Sequence, residues 1–116
     1  MSTIKRVTTP FSYSAAVQAG DYVFLGLHRG FGDTFAAQME GTLKGIKSTL
    51  AQLDIPLDHL VKVQVWLKNI NDLPEMEKIF HAYFEKDTFP ARMTSTTEFI
   101  DADCLVMLEG VAYKGD

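Results

Sequence analysis

The sequence predicts an α+β two-layer sandwich, one mixed β-sheet with two helices on one face. Two stretches repeat apolar residues at helical spacing, and several shorter ones alternate or run continuously apolar as strands do. Turn and capping residues separate these stretches closely, with no repeat, linker or low-complexity segment between them. The 116 residues suffice for one domain, expected over 1–116, with one core and little room for a deep private cleft.

Residues 2–8 and 15–18 read as short strand pieces around Pro10. The turn signal Gly20-Asp21 leads into Tyr22-Val23-Phe24-Leu25-Gly26-Leu27, a strand apolar on both faces. The loop His28-Arg29-Gly30-Phe31-Gly32-Asp33 ends in Asp33, a favourable N-cap type. A helix is expected over about 34–53, because Phe35, Met39, Leu43, Ile46, Leu50 and Leu53 recur at steps of four, four, three, four and three. Gly41 and Gly45 each lower its propensity by roughly 1 kcal/mol against alanine; they either admit a close neighbour or are merely tolerated.

Asp54-Ile55-Pro56-Leu57-Asp58 ends that helix. Val61, Val63, Val65 and Leu67 then alternate with Lys62, Gln64, Trp66 and Lys68, a period-two strand. Asp72-Leu73-Pro74-Glu75 has the form of a capping box, with Pro74 in the first turn, where a missing N–H is harmless. The helix it opens is expected to bury Met76, Ile79, Phe80, Tyr83 and Phe84 and to close before Phe89-Pro90. Arg92 to Phe99 and Cys104 to Tyr113 read as the last strands, giving the order β-β-α-β-α-β-β. Val23, Leu25, Val106 and Leu108 alternate with neighbours that are just as apolar, so the face away from the helices also needs a cover. With no helix left to supply it, a second subunit is the expected cover.

Net charge is −4 and the lysines are scattered, so the dense basic stripe that displaces counterions from a nucleic acid is missing and nucleic-acid binding is disfavoured. The single Cys104 cannot form an intrachain disulfide, which points to a reducing compartment. No signal peptide is apparent behind Met1 and no apolar run approaches the ~20 residues of a membrane helix, so the chain is expected in the cytoplasm and off the membrane.

Glu109 is the most anomalous residue. It interrupts Leu105-Val106-Met107-Leu108 and Gly110-Val111-Ala112, and a carboxylate buried there without a partner costs several kcal/mol. It must be paired, protonated or directed at a polar cleft. Arg92, at the start of the preceding strand, is the natural partner or co-resident of such a cleft. A planar guanidinium suits bidentate capture of a carboxylate, and a nearby Glu suits orienting or deprotonating a water. A buried salt bridge with no ligand accounts for the pair equally well.

Phe89-Pro90-Ala91-Arg92, followed 17 residues after the arginine by Glu109, resembles the C-terminal signature of the YjgF/Rid family. Val65-Trp66-Leu67-Lys68-Asn69-Ile70-Asn71-Asp72-Leu73 resembles its strand-to-helix junction. Tyr13 with Gly20-Asp21-Tyr22-Val23-Phe24 resembles its N-terminal tyrosine and first long strand. The resemblance spans nearly the whole chain in the right order. It implies a chorismate-mutase-like homotrimer with clefts between subunits and hydrolysis of 2-imino acids to 2-keto acids and ammonia, with no metal or organic cofactor. Carried over residue by residue, Arg92 binds the substrate carboxylate and Glu109 holds the water, while Tyr13, Gly26, Leu27, His28 and Thr94 contribute to binding. Two further activities are weighed beside it, a non-catalytic module for small carboxylates and an RNA-directed one. The chain departs from the family where Leu27 fills a usual glycine position, Met93 and Thr94 follow the arginine, and the loop from 28 to 34 is short.

His28, His59 and His81 are dispersed and lack metal-ligand spacing. Apart from the resemblance, His28 reads most simply as a solvated loop histidine, and Cys104 as core rather than nucleophile. Trp66 shares a strand face with Lys62, Gln64 and Lys68 and is a candidate inter-subunit anchor.

Overall fold

The computed structural model describes residues 4–115. Its six strands are β1 (Ile4–Thr8), β2 (Ser14–Ala19), β3 (Tyr22–His28), β4 (Leu60–Leu67), β5 (Ala91–Thr96) and β6 (Val106–Tyr113). Helix α1 spans Phe35–Ala51 and α2 spans Leu73–Tyr83. The α+β class, the mixed sheet and the two helices are as the sequence predicts. The strand order is β1-β2-β3-β6-β4-β5, with β4 and β5 parallel and the other pairs antiparallel. The pieces on either side of Pro10 are two full strands paired with each other, so the element order gains one strand over the β-β-α-β-α-β-β expectation. Residues 2 and 3 of the first expected piece lie outside the described residues.

Both helices cover one sheet face. Met39, Leu43, Ile46 and Leu50 of α1 and Met76 and Phe80 of α2 pack on Val23, Leu25, Val63, Val65, Val106 and Leu108 from the strands. Each such side chain contributes about 1.5–3 kcal/mol when fully buried. Ile79 and Tyr83 are only half-buried at the margin of this core.

Local details differ from the sequence reading for identifiable reasons. Thr34, not Asp33, caps α1, its hydroxyl accepting the Ala37 N–H at 3.1 Å. The capping box at Asp72 does not form. A 3₁₀ turn over Ile70–Asp72 precedes α2, and the Asn69 side chain accepts the Asn71 N–H at 2.9 Å instead. At the end of α1, Asp54 turns left-handed (φ 59°) and the Ile55 N–H reaches back to the Leu50 carbonyl at 3.0 Å, which stops the helix as a Schellman turn does. In β4 a register shift after Leu60 turns Val61 out to solvent and gives Leu60 the buried position, which breaks the expected alternation at its first member. The last two strands are shorter than expected; Phe99 and Cys104 lie in the connection between them, with Cys104 fully buried as core.

Gly41 serves close approach. A Cβ there would lie 3.0 Å from Gly30 Cα, so the 28–34 loop runs against the helix surface. Gly45 meets no such crowding; its nearest contact would be His28 Cδ2 at 3.9 Å. Gln38 stitches this loop to the β5–β6 connection. Its buried amide donates to Gly32 O (3.0 Å) and Asp103 O (2.9 Å) and accepts the Leu105 N–H (2.8 Å).

Candidate functional site

The two sheet faces carry different chemistry. On the face away from the helices, Tyr22, Phe24, Leu27, Met93 and Tyr113 are exposed, interspersed with Lys62, Gln64 and Glu109. A concavity of about 1150 Å³ opens among Tyr13, Leu27, Trp66, Met107 and the 97–101 segment. At the β5 edge a smaller one of about 260 Å³ is lined by Glu77, Phe80, Phe89, Pro90 and Arg92.

Arg92 and Glu109 do not meet within one chain. Arg92 pairs across β5–β4 with Val63, a core residue, whereas Glu109 pairs across β6–β4 with Gln64. Consecutive strand residues project to opposite faces, so the guanidinium lies on the helix side and the carboxylate on the open side, with β4 between them. The alternative reading of the pair, a buried intrachain Arg92–Glu109 salt bridge, is therefore not formed. The arginine pairs with Glu77 of α2, Nη2 to Oε2 at 2.7 Å, and its guanidinium stands 5.3 Å from the Phe80 ring centroid. Its side chain remains 30% exposed at the sheet edge. Glu109 is exposed rather than buried and accepts from Trp66 Nε1 at 3.4 Å, which removes the burial penalty that singled it out.

The remaining site residues divide between the two faces. Tyr13 and Leu27 line the large concavity, Tyr13 with its ring stacked 6.3 Å from Phe11. Thr94 shares the register face of Arg92, opposite Val65. Gly26 presents its carbonyl inward to His28 Nδ1 at 3.0 Å. His28 is neither solvated nor free. Nδ1 donates to Gly26 O and Nε2 accepts from Thr49 Oγ1 at 2.9 Å. Burial holds its pKa below the usual histidine value, which matches the neutral tautomer this bonding requires. His28 thus lines the concavity with both ring nitrogens already used. Burial also raises the Cys104 thiol pKa, which disfavours the thiolate.

Sequence reasoning missed Glu77 and Arg29. Arg29 is nearly buried, bridges Asp101 and Asp103 at 3.4 Å each and lies 4.2 Å over Phe31, fixing one wall of the large concavity. Its proximity to Asp101-Ala102-Asp103 is long-range and leaves no local pattern. Glu77 is one turn before His81 and faces Arg92 only because α2 crosses back over the edge strand. Among the described residues, no group of three or more His, Cys, Asp or Glu stands where it could hold a metal, and no helix is long and apolar enough to cross a membrane.

A six-stranded mixed sheet with two helices on one face, an arginine at its edge strand and an apolar concavity lined by Tyr13, Leu27 and Met107 and, from α1, by Ser48 and Thr49 define the class: a small α+β sandwich protein. The family described as Endoribonuclease L-PSP matches residues 3–114, and the chain belongs to it; this is the YjgF/Rid family that the sequence motifs resemble. A RutC family protein of Pyrococcus abyssi is 28% identical over 110 residues, covering 88% of this chain and 86% of its own. A 2-iminobutanoate/2-iminopropanoate deaminase of Dermatophagoides farinae is 24% identical over 125 residues, covering 96% and 97%. The crystal structure of a YjgF family protein of Neisseria meningitidis superposes with a TM-score of 0.92 at 26% identity, covering 97% of this chain and 96% of that one.

Proposed function

We propose that the protein hydrolyses 2-imino acids to 2-keto acids and ammonia, in clefts that two copies of the chain build together in a homotrimer. The observation that carries this reading is Arg92, a half-exposed guanidinium fixed at an open sheet edge by Glu77 and Phe80, in a family with a relative named 2-iminobutanoate/2-iminopropanoate deaminase. Because Arg92 and Glu109 project from opposite faces, a shared site needs Arg92 and Thr94 from one copy and Glu109, Tyr13 and Leu27 from the next. The exposed apolar residues of the open face, Phe24, Met93 and Tyr113 among them, supply a surface for that assembly.

In such a cleft Arg92 holds the substrate carboxylate, which fixes the adjacent C=N carbon; orientation is a large share of the barrier. Glu109 accepts a proton from a water as its oxygen attacks that carbon. Glu109 then returns that proton to the carbinolamine nitrogen, which leaves as ammonia, while the hydroxyl proton is released as the C=O of the keto acid forms. The backbone at Leu27 and Thr94 lines the cleft, the Gly26 carbonyl being taken by His28. The buried Cys104 fits a reducing, cytoplasmic setting.

A second reading, carboxylate binding without turnover, draws on Leu27, whose side chain occupies the wall where the family usually has glycine. RNA cleavage, which the family description names, is not adopted: net charge −4 works against counterion release. The test is keto-acid release from 2-iminopropanoate generated in situ by an amino-acid oxidase. Wild type accelerates release and Arg92→Ala does not, at an unchanged oligomeric state. Pyruvate-dependent thermal stabilisation with no acceleration selects the second reading, and wild type equal to buffer in both measurements sinks both.

A further inference from the structure

We propose that Glu77 is a positioning residue for Arg92, one that fixes the guanidinium and at the same time weakens its hold on a bound carboxylate. This rests on the reading of Arg92 as the carboxylate anchor. Three contacts carry it. Oε2 of Glu77 lies 2.7 Å from Arg92 Nη2, a close ion pair. Oε1 lies 3.5 Å from His81 Nε2 one turn along α2, a contact that becomes an ion pair when His81 is protonated. His81 in turn sets its ring edge-on to Phe89, 5.0 Å between centroids, and Phe89 lines the same cavity as Arg92.

The guanidinium is thus bounded by Phe80 beneath one face and by Glu77 at one nitrogen, and its remaining N–H groups are free to meet a ligand. A flexible arginine loses rotamer freedom when it binds; one already fixed loses less. The Glu77 charge acts in the opposite sense, because a carboxylate bonded to the guanidinium competes electrostatically with the incoming anion. A neutral acceptor of the same shape separates the two effects. Glutamine keeps an oxygen for Nη2 and removes the charge; alanine removes both.

The experiment measures pyruvate binding by titration calorimetry and the rate of 2-iminopropanoate hydrolysis at saturation, in full-length wild type, Glu77→Gln, Glu77→Ala and Arg92→Ala. Glu77→Gln is expected to bind pyruvate about three- to fivefold more tightly, the range of a partly exposed ion pair, with the saturated rate within about twofold of wild type. Glu77→Ala is expected to lose about tenfold in saturated rate, because the guanidinium is no longer oriented. Glu77 is half-exposed on a helix, and equal thermal midpoints verify that the variants fold. If both Glu77 variants match wild type in Kd and rate while Arg92→Ala loses pyruvate, the proposal is overturned and the carboxylate anchor stands. If wild type binds pyruvate no better than Arg92→Ala, the anchor fails, and the role of Glu77 with it.

Discussion

The two faces of the sheet are made by alternate residues of the same strands and have opposite characters. On the helix side Val23, Val63, Val65, Val106 and Leu108 are completely buried. One residue away on the other side, Tyr22, Phe24, Met93 and Tyr113 are exposed beside Lys62, Gln64 and Glu109. The covered face holds the chain's own stability. The open face leaves apolar area and polar groups exposed, the surface that the proposed assembly would cover. Arg92 belongs to the first and Glu109 to the second, which is why a site that uses both draws on two copies.

The contrast is broken most strongly in the covered face. Leu108→Ala leaves a cavity where the two helices pack and is expected to destabilise by about 2–5 kcal/mol, read from the urea midpoint. On the open face, Phe24→Asp is expected to leave the circular dichroism of the chain unchanged while lowering its mass in solution and abolishing hydrolysis. A Phe24 variant that unfolds as readily as the Leu108 one would erase the distinction.

A smaller effect comes from His28. Its folded pKa lies below the ordinary value, so the unfolded chain takes up a proton first as the pH falls. Stability from this group is complete above about pH 6.5 and declines below it. The urea midpoint is expected to fall over that range in wild type, and His28→Gln to lose that part of the slope. The smallest effect is at Cys104, buried and with its thiol pKa raised; alkylation by iodoacetamide in the folded protein is expected to be far slower than for an unfolded control.

What was legible in the sequence follows from what is local. The 3.6 period of Phe35 to Leu50 and the alternation of Val63, Val65 and Leu67 record which side of each element is buried, and both elements stand where the patterns put them. The caps depart from the sequence pattern: Thr34, one residue past Asp33, takes the Ala37 N–H, and Asn69 takes the Asn71 N–H in a 3₁₀ turn that precedes α2. The site was legible only as a set of residues. Glu109 stands out as a charge in an apolar strand and Arg92 as its candidate partner, but which face each one takes depends on its register against β4, and no one-dimensional pattern encodes that. The same holds for Glu77, which becomes the partner of Arg92 only after α2 folds back across β4 and β5.

On the proposed reading, one copy supplies Arg92 and its neighbour supplies Glu109. Two inactive variants, Arg92→Ala and Glu109→Gln, unfolded together in equal amounts and refolded into mixed assemblies, test it most directly. In a closed ring with sites between neighbours, random mixing restores both residues to about one site in four, so about a quarter of wild-type imine hydrolysis returns. A mixture as inactive as its two parents, with mixed assemblies verified by mass, contradicts the account.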